Sequence, residues 1–495
     1  MLLTKNIIYS ARLHELAPAI VFPGGVATYG VLLNTIWSAV EILRGLELPP
    51  GALVVLDIRN PVYHTATLLA LTLLGHPSAS VGTAYSAASA GPRPFLFLTD
   101  RDDVDAAGLR MVQVDPRWFE FPIDQTVPYS KLLSLPGFPN AGSVARVLYS
   151  SGTTGRPKCV ALTVETLRRR VERYGIYTPS RGREGAVLSM FGFSTIAGTT
   201  NPFWVLASGA ALCLTSDGAA ALKLAHLFGV SLLTASVVQL EGVLKALGDR
   251  PSPPTLSRVL VGGAMVPPSL LDRVASRLGA EAALGYGSTE MGLVSRASSA
   301  ELKGVLGAVG RILPWMEVEV VDGKGGILAN GVEGILRVRS EDSATYLDET
   351  GTPIPMEVGG WIYPGDVGRI DEDQNLFLTG RSTEVINRGG VIVAPEAVEE
   401  VLRLYPGIAD VAVVGVQNSA NIEEIWAAVV VAGQFDEAAA IAFCRPRLNE
   451  RSPDRVIVVA NIPRNENHKV TRGALRDQLI LLFAAFAGHQ RVNPD

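Results

Sequence analysis

Apolar runs of strand length alternate with helix-length segments in the first half of this chain, and this alternation limits the fold more than any other feature. Apolar residues recur at helical spacing in 28–46 and in 61–74, with a turn at Pro49-Pro50-Gly51 between them. Strand-like runs are found at residues 52–56, 95–98, 111–114, 145–148, 187–190, 210–214, 232–234 and 259–261. Because strands that alternate with helices usually pair in parallel, we predict an α/β fold of layered, largely parallel sheets.

The pattern changes near residue 310 and again near residue 380. Short alternating segments at 317–321, 334–338 and 375–379 predict a small antiparallel barrel or sheet. The segments beyond them predict an α+β domain, with helices at 395–404 and 436–448 and strands at 411–416, 425–431 and 456–459. We therefore predict a large N-terminal domain, residues 1–380, that includes the β-barrel-like part, and a small C-terminal domain, residues 381–495.

Composition excludes several functions. The net charge of -5 and the 18% of charged residues leave no basic field of the kind that attracts nucleic acid. The basic run at 168–170 is therefore expected to be a solvated helix face. Three widely spaced cysteines and six scattered histidines show no metal-ligand spacing. The longest apolar runs, 66–74 and 479–487, fall short of the roughly 20 residues of a membrane-spanning helix, so we expect a cytoplasmic protein without a transmembrane segment.

A polar loop after the strand at 145–148 is the first candidate site. Glycines and hydroxyl residues let backbone amides turn toward an anion, and Lys158 adds a positive charge. The loop residues are Ser151, Gly152, Thr153, Thr154 and Gly155. Only two residues separate the glycines, so the loop is not a Walker P-loop. We expect a polyphosphate site between a strand and a helix; a plain surface loop is the alternative.

A glycine-rich segment ending in a carboxylate is the second candidate site. It comprises Gly285, Tyr286, Gly287, Ser288, Thr289 and Glu290. Tyr286 can stack on a base, Thr289 can hydrogen-bond a phosphate, and Glu290 can hold magnesium. A turn with an exposed acid is the alternative. A dinucleotide-binding fingerprint is excluded because Glu290 stands at its third glycine position.

Two later positions carry charge in polar surroundings. Asp366 follows a Pro-Gly pair, where a carboxylate can either accept bonds from ribose hydroxyls or close a turn. Lys469 lies in a polar stretch near the C-terminus, where a lysine is ordinarily a solvated charge. Neither residue identifies a function alone.

Taken together and in this order, the motifs resemble those of the acyl- and aminoacyl-adenylate-forming (ANL) superfamily, and among its members the AMP-forming acyl-CoA synthetases. The matching segments are S-S-G-T-T-G-R-P-K at 150–158, Gly262-Gly263-Ala264, Y-G-S-T-E at 286–290, G-D-V-G-R at 365–369, G-R at 380–381 and P-R-N-E-N-H-K-V-T-R at 463–472. Three positions depart from the family pattern, namely Cys159, Thr383 and His468.

The resemblance implies a reaction and its participants. A carboxylic acid would be activated with ATP and Mg²⁺ to an acyl adenylate, and the acyl group would then pass to coenzyme A as a mobile C-terminal domain rotates. Lys469, with Thr289 and Glu290, would be catalytic, and Lys469 would bridge carboxylate and α-phosphate. Gly263 and Ala264 would lie beside the adenine, while Asp366 and Arg381 would bind the nucleotide. Thr383 would lie in the hinge, and Gly389 and Gly390 would let the thiol arm of coenzyme A pass.

The acyl pocket in this family is bordered by the segment that corresponds to residues 189–198. This segment contains no histidine, aspartate or arginine, so an apolar monocarboxylic acid is the preferred substrate. Phe191, Phe193, Ala197 and Gly262 are the predicted lining, although the phenylalanines can equally be core residues. Two alternatives stay open: loading of an acyl carrier protein and a non-catalytic adenylate-binding relative. A homodimer also stays open.

Overall fold

The computed structural model describes residues 2–81, 91–102, 108–120, 127–150, 158–177, 185–302, 307–356, 358–382, 384–388, 391–418, 422–464 and 470–490. The chain forms two compact units. The first comprises Met1–Glu301, Ile312–Glu317 and Val338–Ile362, and the second comprises Leu302–Arg311, Val318–Arg337 and Tyr363–Asp495. The predicted domain boundary at residue 380 stays a prediction.

The helices follow the predicted pattern closely. They are α1 (Leu2–Leu13), α2 (Tyr29–Gly45), α3 (Pro61–Leu74), α4 (Tyr129–Leu133), α5 (Val164–Tyr177), α6 (Ile196–Ala207), α7 (Gly218–Phe228), α8 (Val237–Leu247), α9 (Pro268–Arg273), α10 (Pro395–Arg403), α11 (Glu437–Leu448) and α12 (Arg472–Gln490). The side chain of Asn60 accepts hydrogen bonds from the first amides of α3, and Gly75 ends that helix in the left-handed conformation. Local capping therefore explains why residues 61–74 could be predicted to the residue.

The strands of the first unit and its neighbours come first along the chain. They are β1 (Pro18–Phe22), β2 (Gly25–Thr28), β3 (Val54–Asp57), β4 (Ser78–Ser80), β5 (Leu96–Thr99), β6 (Met111–Gln113), β7 (Val144–Ser150), β8 (Lys158–Thr163), β9 (Ala186–Ser189), β10 (Ala211–Leu214), β11 (Val230–Ser236), β12 (Arg258–Gly262), β13 (Glu281–Ser288) and β14 (Gly292–Ser298). The remaining strands are β15 (Ala308–Ile312), β16 (Met316–Val321), β17 (Gly334–Ser340), β18 (Thr345–Leu347), β19 (Pro353–Ile354), β20 (Asp366–Ile370), β21 (Asn375–Arg381), β22 (Ile386–Arg388), β23 (Val391–Val393), β24 (Ile408–Gln417), β25 (Glu423–Val431) and β26 (Arg455–Val458).

Two sheets form the first unit. One runs in the order β14-β13-β12-β11-β9-β10-β1-β2 and the other in the order β19-β18-β8-β7-β4-β3-β5-β6. Strands β9 to β13 and β1 pair in parallel, as do β3 to β7, whereas β14 and β8 pair antiparallel with their neighbours. The prediction of layered, largely parallel sheets is confirmed.

One prediction about the first sheet edge is wrong. The loop at 151–157 was expected between a strand and a helix, but β7 is followed by the antiparallel strand β8, with Ser150 opposite Lys158. Helix α5 begins only after β8. The four apolar residues of β8 are too few for periodicity to separate strand from loop.

A large apolar core lies between the sheets and helices of the first unit. Ile36 on α2, Leu69 on α3, Leu148 on β7 and Phe203 on α6 belong to it, and all are fully buried or nearly so. Cys159 is buried on the opposite face of β8, and burial raises the pKa of its thiol to about 12. This side chain therefore acts as a small apolar residue, as expected.

The second unit combines two antiparallel arrangements. Strands β17, β20, β21 and β15 form the predicted antiparallel sheet, and β24, β25 and β26 form a second sheet. Helices α10 and α11 cover one face of the second sheet, and α12 covers the other through Leu475 and Leu479. Within the described ranges, every helix is too short or too polar to cross a membrane.

Candidate active site

The predicted site residues of the first unit meet at one edge of its larger sheet. Parallel pairing places Ser189 beside Thr234, Ser236 beside Gly262, and Gly262 beside Gly285. The loops that leave the carboxyl ends of β9, β12 and β13 therefore share this edge, where ligands of open α/β sheets usually bind. These loops contain Phe191, Phe193, Ala197, Gly263, Ala264, Tyr286, Gly287, Ser288, Thr289 and Glu290.

Two glycines at this edge have conformations that other residues cannot adopt easily. Gly263 has a φ of +86°, in the left-handed region. A β-carbon on Gly287 would lie 2.1 Å from the carbonyl oxygen of Gly292. Ser288 then closes the turn, because its Oγ accepts hydrogen bonds from the amides of Glu290 and Met291 at 3.2 Å. The backbone before the predicted magnesium ligand is thus tightly defined.

Arg170 holds this turn from below. Its guanidinium donates to the carbonyl oxygens of Thr289 and Glu290, both at 2.8 Å, and to that of Asp342 at 2.6 and 3.0 Å. Burial lowers the pKa of Arg170 to about 10, so the side chain stays positively charged at neutral pH. The expectation that the whole basic run is solvated is wrong for Arg170, which is 3% exposed.

The neighbours of Arg170 show why the sequence misled. Arg168 and Arg169 point outward and pair with Glu165 one turn earlier, as a solvated helix face does. Arg170 lies on the inward face of the same helix, where its partners are 119 to 172 residues away in the sequence. Only its place on the apolar side of α5, next to Leu167 and Val171, signals burial.

Lys158 and Glu290 approach the same aromatic ring. The Lys158 ammonium lies 5.0 Å from the centre of the Tyr346 ring on β18, which pairs with β8. Burial, together with the negative charge of Glu290, raises the pKa of Tyr346 to about 12, so its hydroxyl stays protonated. A cation and a carboxylate are therefore gathered around Tyr346, which the sequence had not indicated.

Glu290 has the donor chemistry for magnesium. Mg²⁺ commonly binds one or two carboxylates and completes its shell with substrate phosphates and water. Glu290 is half-buried at the sheet edge, and its carbonyl oxygen also accepts a bond from the amide of Ala344 at 2.8 Å. One carboxylate on a fixed turn thus suits a metal that arrives with a polyphosphate.

The loop after β9 is held by residues that the sequence analysis missed. Arg146 on β7 donates to the carbonyl oxygen of Phe193 at 3.2 Å, and the ring of His64 stacks on the Phe193 ring at 4.0 Å and 8°. The segment 189–198 itself contains neither residue type, but the fold brings both to it. The available signal was Arg146, which stands in a strand otherwise made of apolar residues.

In the second unit, two predicted nucleotide-binding residues form an ion pair. Asp366 on β20 and Arg381 on β21 are opposite each other in the sheet, and Nε of Arg381 lies 2.9 Å from Oδ1 of Asp366. Arg381 also donates to the carbonyl oxygen of Pro364 at 2.8 Å. Asp366 is buried, so Arg381 supplies the charge that this carboxylate needs.

The remaining predicted residues lie outside the described part of the chain. They are Ser151, Gly152, Thr153, Thr154, Gly155, Thr383, Gly389, Gly390 and Lys469. Their roles stay predictions.

Comparison with known proteins identifies the class to which this fold and these motifs belong. Residues 9–345 match the AMP-binding enzyme family, and residues 397–469 match the AMP-binding enzyme C-terminal domain. The chain belongs to the AMP-binding enzyme family, and the predicted resemblance to the adenylate-forming superfamily is confirmed.

Particular relatives are CoA ligases. The chain is 31% identical over 358 residues to a dioxo-octahydroindenyl-propanoyl:CoA ligase from Rhodococcus jostii, covering 68% of this chain and 65% of that protein. It is 27% identical over 502 residues to a 4-chlorobenzoate–CoA ligase from an Arthrobacter species, covering 96% and 94%. The structure of o-succinylbenzoate CoA synthetase from Bacillus subtilis with ATP and magnesium matches with a TM-score of 0.82 at 20% identity, covering 95% and 98%.

Proposed function

We propose that this protein is an AMP-forming acid–thiol ligase. It would activate a carboxylic acid with ATP, release pyrophosphate, and transfer the acyl group from the adenylate to coenzyme A. The observation that carries the proposal is the turn at 285–290, which is held by Arg170 and lies beside the loops after β9 and β12. Relatives named as CoA ligases that align with nearly the whole chain support it.

The chemistry would depend mainly on positioning and charge. The substrate carboxylate would attack the α-phosphorus of ATP while cations and backbone amides stabilise the developing charge. Lys469 is the proposed bridge between carboxylate and α-phosphate, and Lys158 with residues 151–155 would bind the outer phosphates. Glu290 would hold Mg²⁺, which neutralises the leaving pyrophosphate. The ribose hydroxyls would bond to Asp366.

The proposed acid is an apolar monocarboxylic acid, bordered by Phe191, Phe193, Ala197 and Gly262. The support is that the buried cation near this segment is already occupied. Arg146 donates to Ser78, Ser80, Thr199 and the carbonyl oxygen of Phe193, so these donors are not offered to a second substrate carboxylate. A dicarboxylate would therefore displace protein hydrogen bonds.

The decisive experiment is ATP–pyrophosphate exchange with a panel of acids, with and without CoA, for the wild type and Lys469→Ala. The panel contains aliphatic, aryl, dicarboxylic and amino acids. We expect exchange with apolar monoacids, acyl-CoA formation when CoA is present, and a loss in Lys469→Ala on the order of 100-fold or more. Lys324→Ala, in an exposed turn, is the matched control.

Each other outcome contradicts part of the proposal. Exchange without consumption of CoA would point to loading of a carrier protein. ATP binding without exchange for any acid would identify a non-catalytic adenylate-binding protein. Exchange restricted to dicarboxylic or amino acids would overturn the proposed acid class while leaving adenylation intact.

A further inference from the structure

A buried polar chain extends from β7 to the loop after β9. Arg146 is fully buried, and none of its hydrogen-bond partners is a carboxylate. It donates to Ser78 Oγ at 3.0 Å and to Ser80 Oγ on β4. An arginine kept in an apolar core with only neutral acceptors is costly, since charge burial is not offset by an opposite charge. Such an arrangement is expected where the hydrogen bonds hold something specific.

The direction of each hydrogen bond in this chain is fixed. The Nδ1 of His64 lies 3.0 Å from the carbonyl oxygen of Ile58, which can only accept, so Nδ1 carries the proton. The Nε2 then accepts from Ser80 Oγ at 2.6 Å, and Ser80 accepts in turn from Arg146. Burial and the charge of Arg146 lower the pKa of His64 to about 3, so the ring is neutral in this arrangement.

Both ends of the chain contact one residue. The oriented His64 ring stacks face to face on the Phe193 ring, with centres 4.0 Å apart. The carbonyl oxygen of Phe193 accepts from Arg146 at 3.2 Å and from Thr199 Oγ1 at 3.1 Å. Phe193 is therefore held through its ring and its backbone, although it lies in a loop. Thr195 adds a cap on α6, accepting from the Gly198 amide at 3.0 Å.

We propose that Arg146 and His64 are positioning residues that fix Phe193 as a rigid wall of the acyl pocket and so set the selectivity for the acid. This inference rests on the proposed function, because it needs Phe193 to line that pocket. When the hydrogen-bonded chain is broken, the Phe193 ring rotates and the pocket widens. Bulky ring acids then gain relative to short aliphatic acids.

The test compares kcat/KM for a bulky aryl acid and a short aliphatic acid. We expect Arg146→Met, His64→Leu and the milder Ser80→Ala to shift the ratio toward the bulky acid by about tenfold, with the KM for ATP unchanged. Arg146→Lys should shift it less. Tyr29→Phe is the control, because it removes buried hydrogen bonds to Leu206 and Ala210 at the far end of α6 and should leave the ratio unchanged.

A double substitution separates positioning from general damage. In a Phe193→Ala background, Arg146→Met and Ser80→Ala should no longer shift the ratio, because the wall that they position is gone. An unchanged ratio in the single variants, or a shift that persists without Phe193, would overturn the inference. If the wild type activates no acid while it binds ATP, the proposed function fails instead, and this result is distinguishable from the others.

Discussion

Arg170 is a single residue on which the geometry of the Thr289–Glu290 turn depends. We expect Arg170→Met to lower the free energy of unfolding by about 3 kcal/mol, because three carbonyl oxygens lose a buried donor. We also expect the half-saturating Mg²⁺ concentration to rise about tenfold or more, since the turn carries Glu290. Urea unfolding and pyrophosphate exchange at varied Mg²⁺ measure the two effects.

Arg168→Met is the control for this prediction, because Arg168 lies two residues away on the same helix and pairs only with Glu165 and Glu172 among the contacts described. It should change the unfolding free energy by less than about 1 kcal/mol and leave the Mg²⁺ requirement as it was. A lower stability of Arg170→Met with an unchanged Mg²⁺ requirement would show that Arg170 supports the fold alone.

Asp366 offers a second test at the scale of one residue. If its carboxylate bonds the ribose, the wild type should lose about tenfold in kcat/KM with the 2′-deoxy or 3′-deoxy analogue of ATP, and Asp366→Asn should lose little more when the analogue is used. Asp371→Asn is the matched control, because Asp371 closes the β20–β21 turn by accepting from the amides of Asp373 and Asn375. Independent losses from substitution and analogue would remove Asp366 from the ribose site.

The residues that could be predicted from the sequence are those whose role is carried by a local motif. Gly263, Gly287 and Glu290 stand in short segments whose backbone shape is local, and the fold places them at the expected sheet edge. Arg146, Arg170 and His64 act through contacts 47 or more residues away, or through stacking across two sheets. No local pattern reports such partners, so only the assembled fold reveals them.

At the scale of elements, the same distinction holds. Helix α3 was predicted well because Asn60, Pro61 and Gly75 mark its ends within the chain itself. Strand β8 was missed because its edge position depends on pairing with β7 and β18, which the sequence cannot show. The consequence is chemical, since the residues at 151–157 connect two antiparallel strands and no helix N-terminus directly follows them.

Arg472 joins three elements of the second unit. At the start of α12 it donates to Glu399 on α10 at 2.7 Å, to Glu396 at 2.5 Å and to the carbonyl oxygen of Val413 on β24 at 2.7 Å. Burial alone would raise the pKa of Glu399, but Arg472 and Arg403 outweigh it and hold that pKa below its ordinary value. We expect Arg472→Met to cost about 3 to 5 kcal/mol at pH 7, because a buried carboxylate loses its main partner.

The pH dependence of this variant should have the opposite sign to that of the wild type. In the wild type, the lowered pKa of Glu399 contributes stability above the unfolded pKa, and this contribution is lost as pH falls through the folded pKa. In Arg472→Met, burial raises the pKa, so the deficit should shrink between pH 7 and pH 5. Hydrogen exchange of the Val413 amide, which donates to Glu399, measures it.

Arg464→Met is the control for the Arg472 prediction. Arg464 pairs with Asp410 at a half-exposed position in the same unit, so its loss should cost about 1 kcal/mol or less without a reversed pH dependence. A deficit in Arg472→Met that stays constant from pH 7 to pH 5 would contradict the account of Glu399.

For the whole molecule, the proposed reaction needs one active site to serve two chemical steps. The proposed division into residues 1–380 and 381–495 places the change of arrangement at Thr383, where a hinge residue would have to alter its backbone torsions. Proline at this position fixes φ near −65° and removes the amide proton. Thr383→Pro should therefore affect the two half-reactions unequally, whereas Thr383→Ala, which leaves the backbone free, should affect neither.

Measuring the half-reactions separately decides this prediction. Pyrophosphate exchange reports adenylation, and single-turnover transfer from preformed acyl adenylate to CoA reports thioester formation. We expect Thr383→Pro to slow one of them by at least about tenfold more than the other, because a restricted hinge favours one arrangement. Equal losses in both steps would mean that the substitution disturbs the fold near Arg381, and no loss in either would move the hinge away from Thr383.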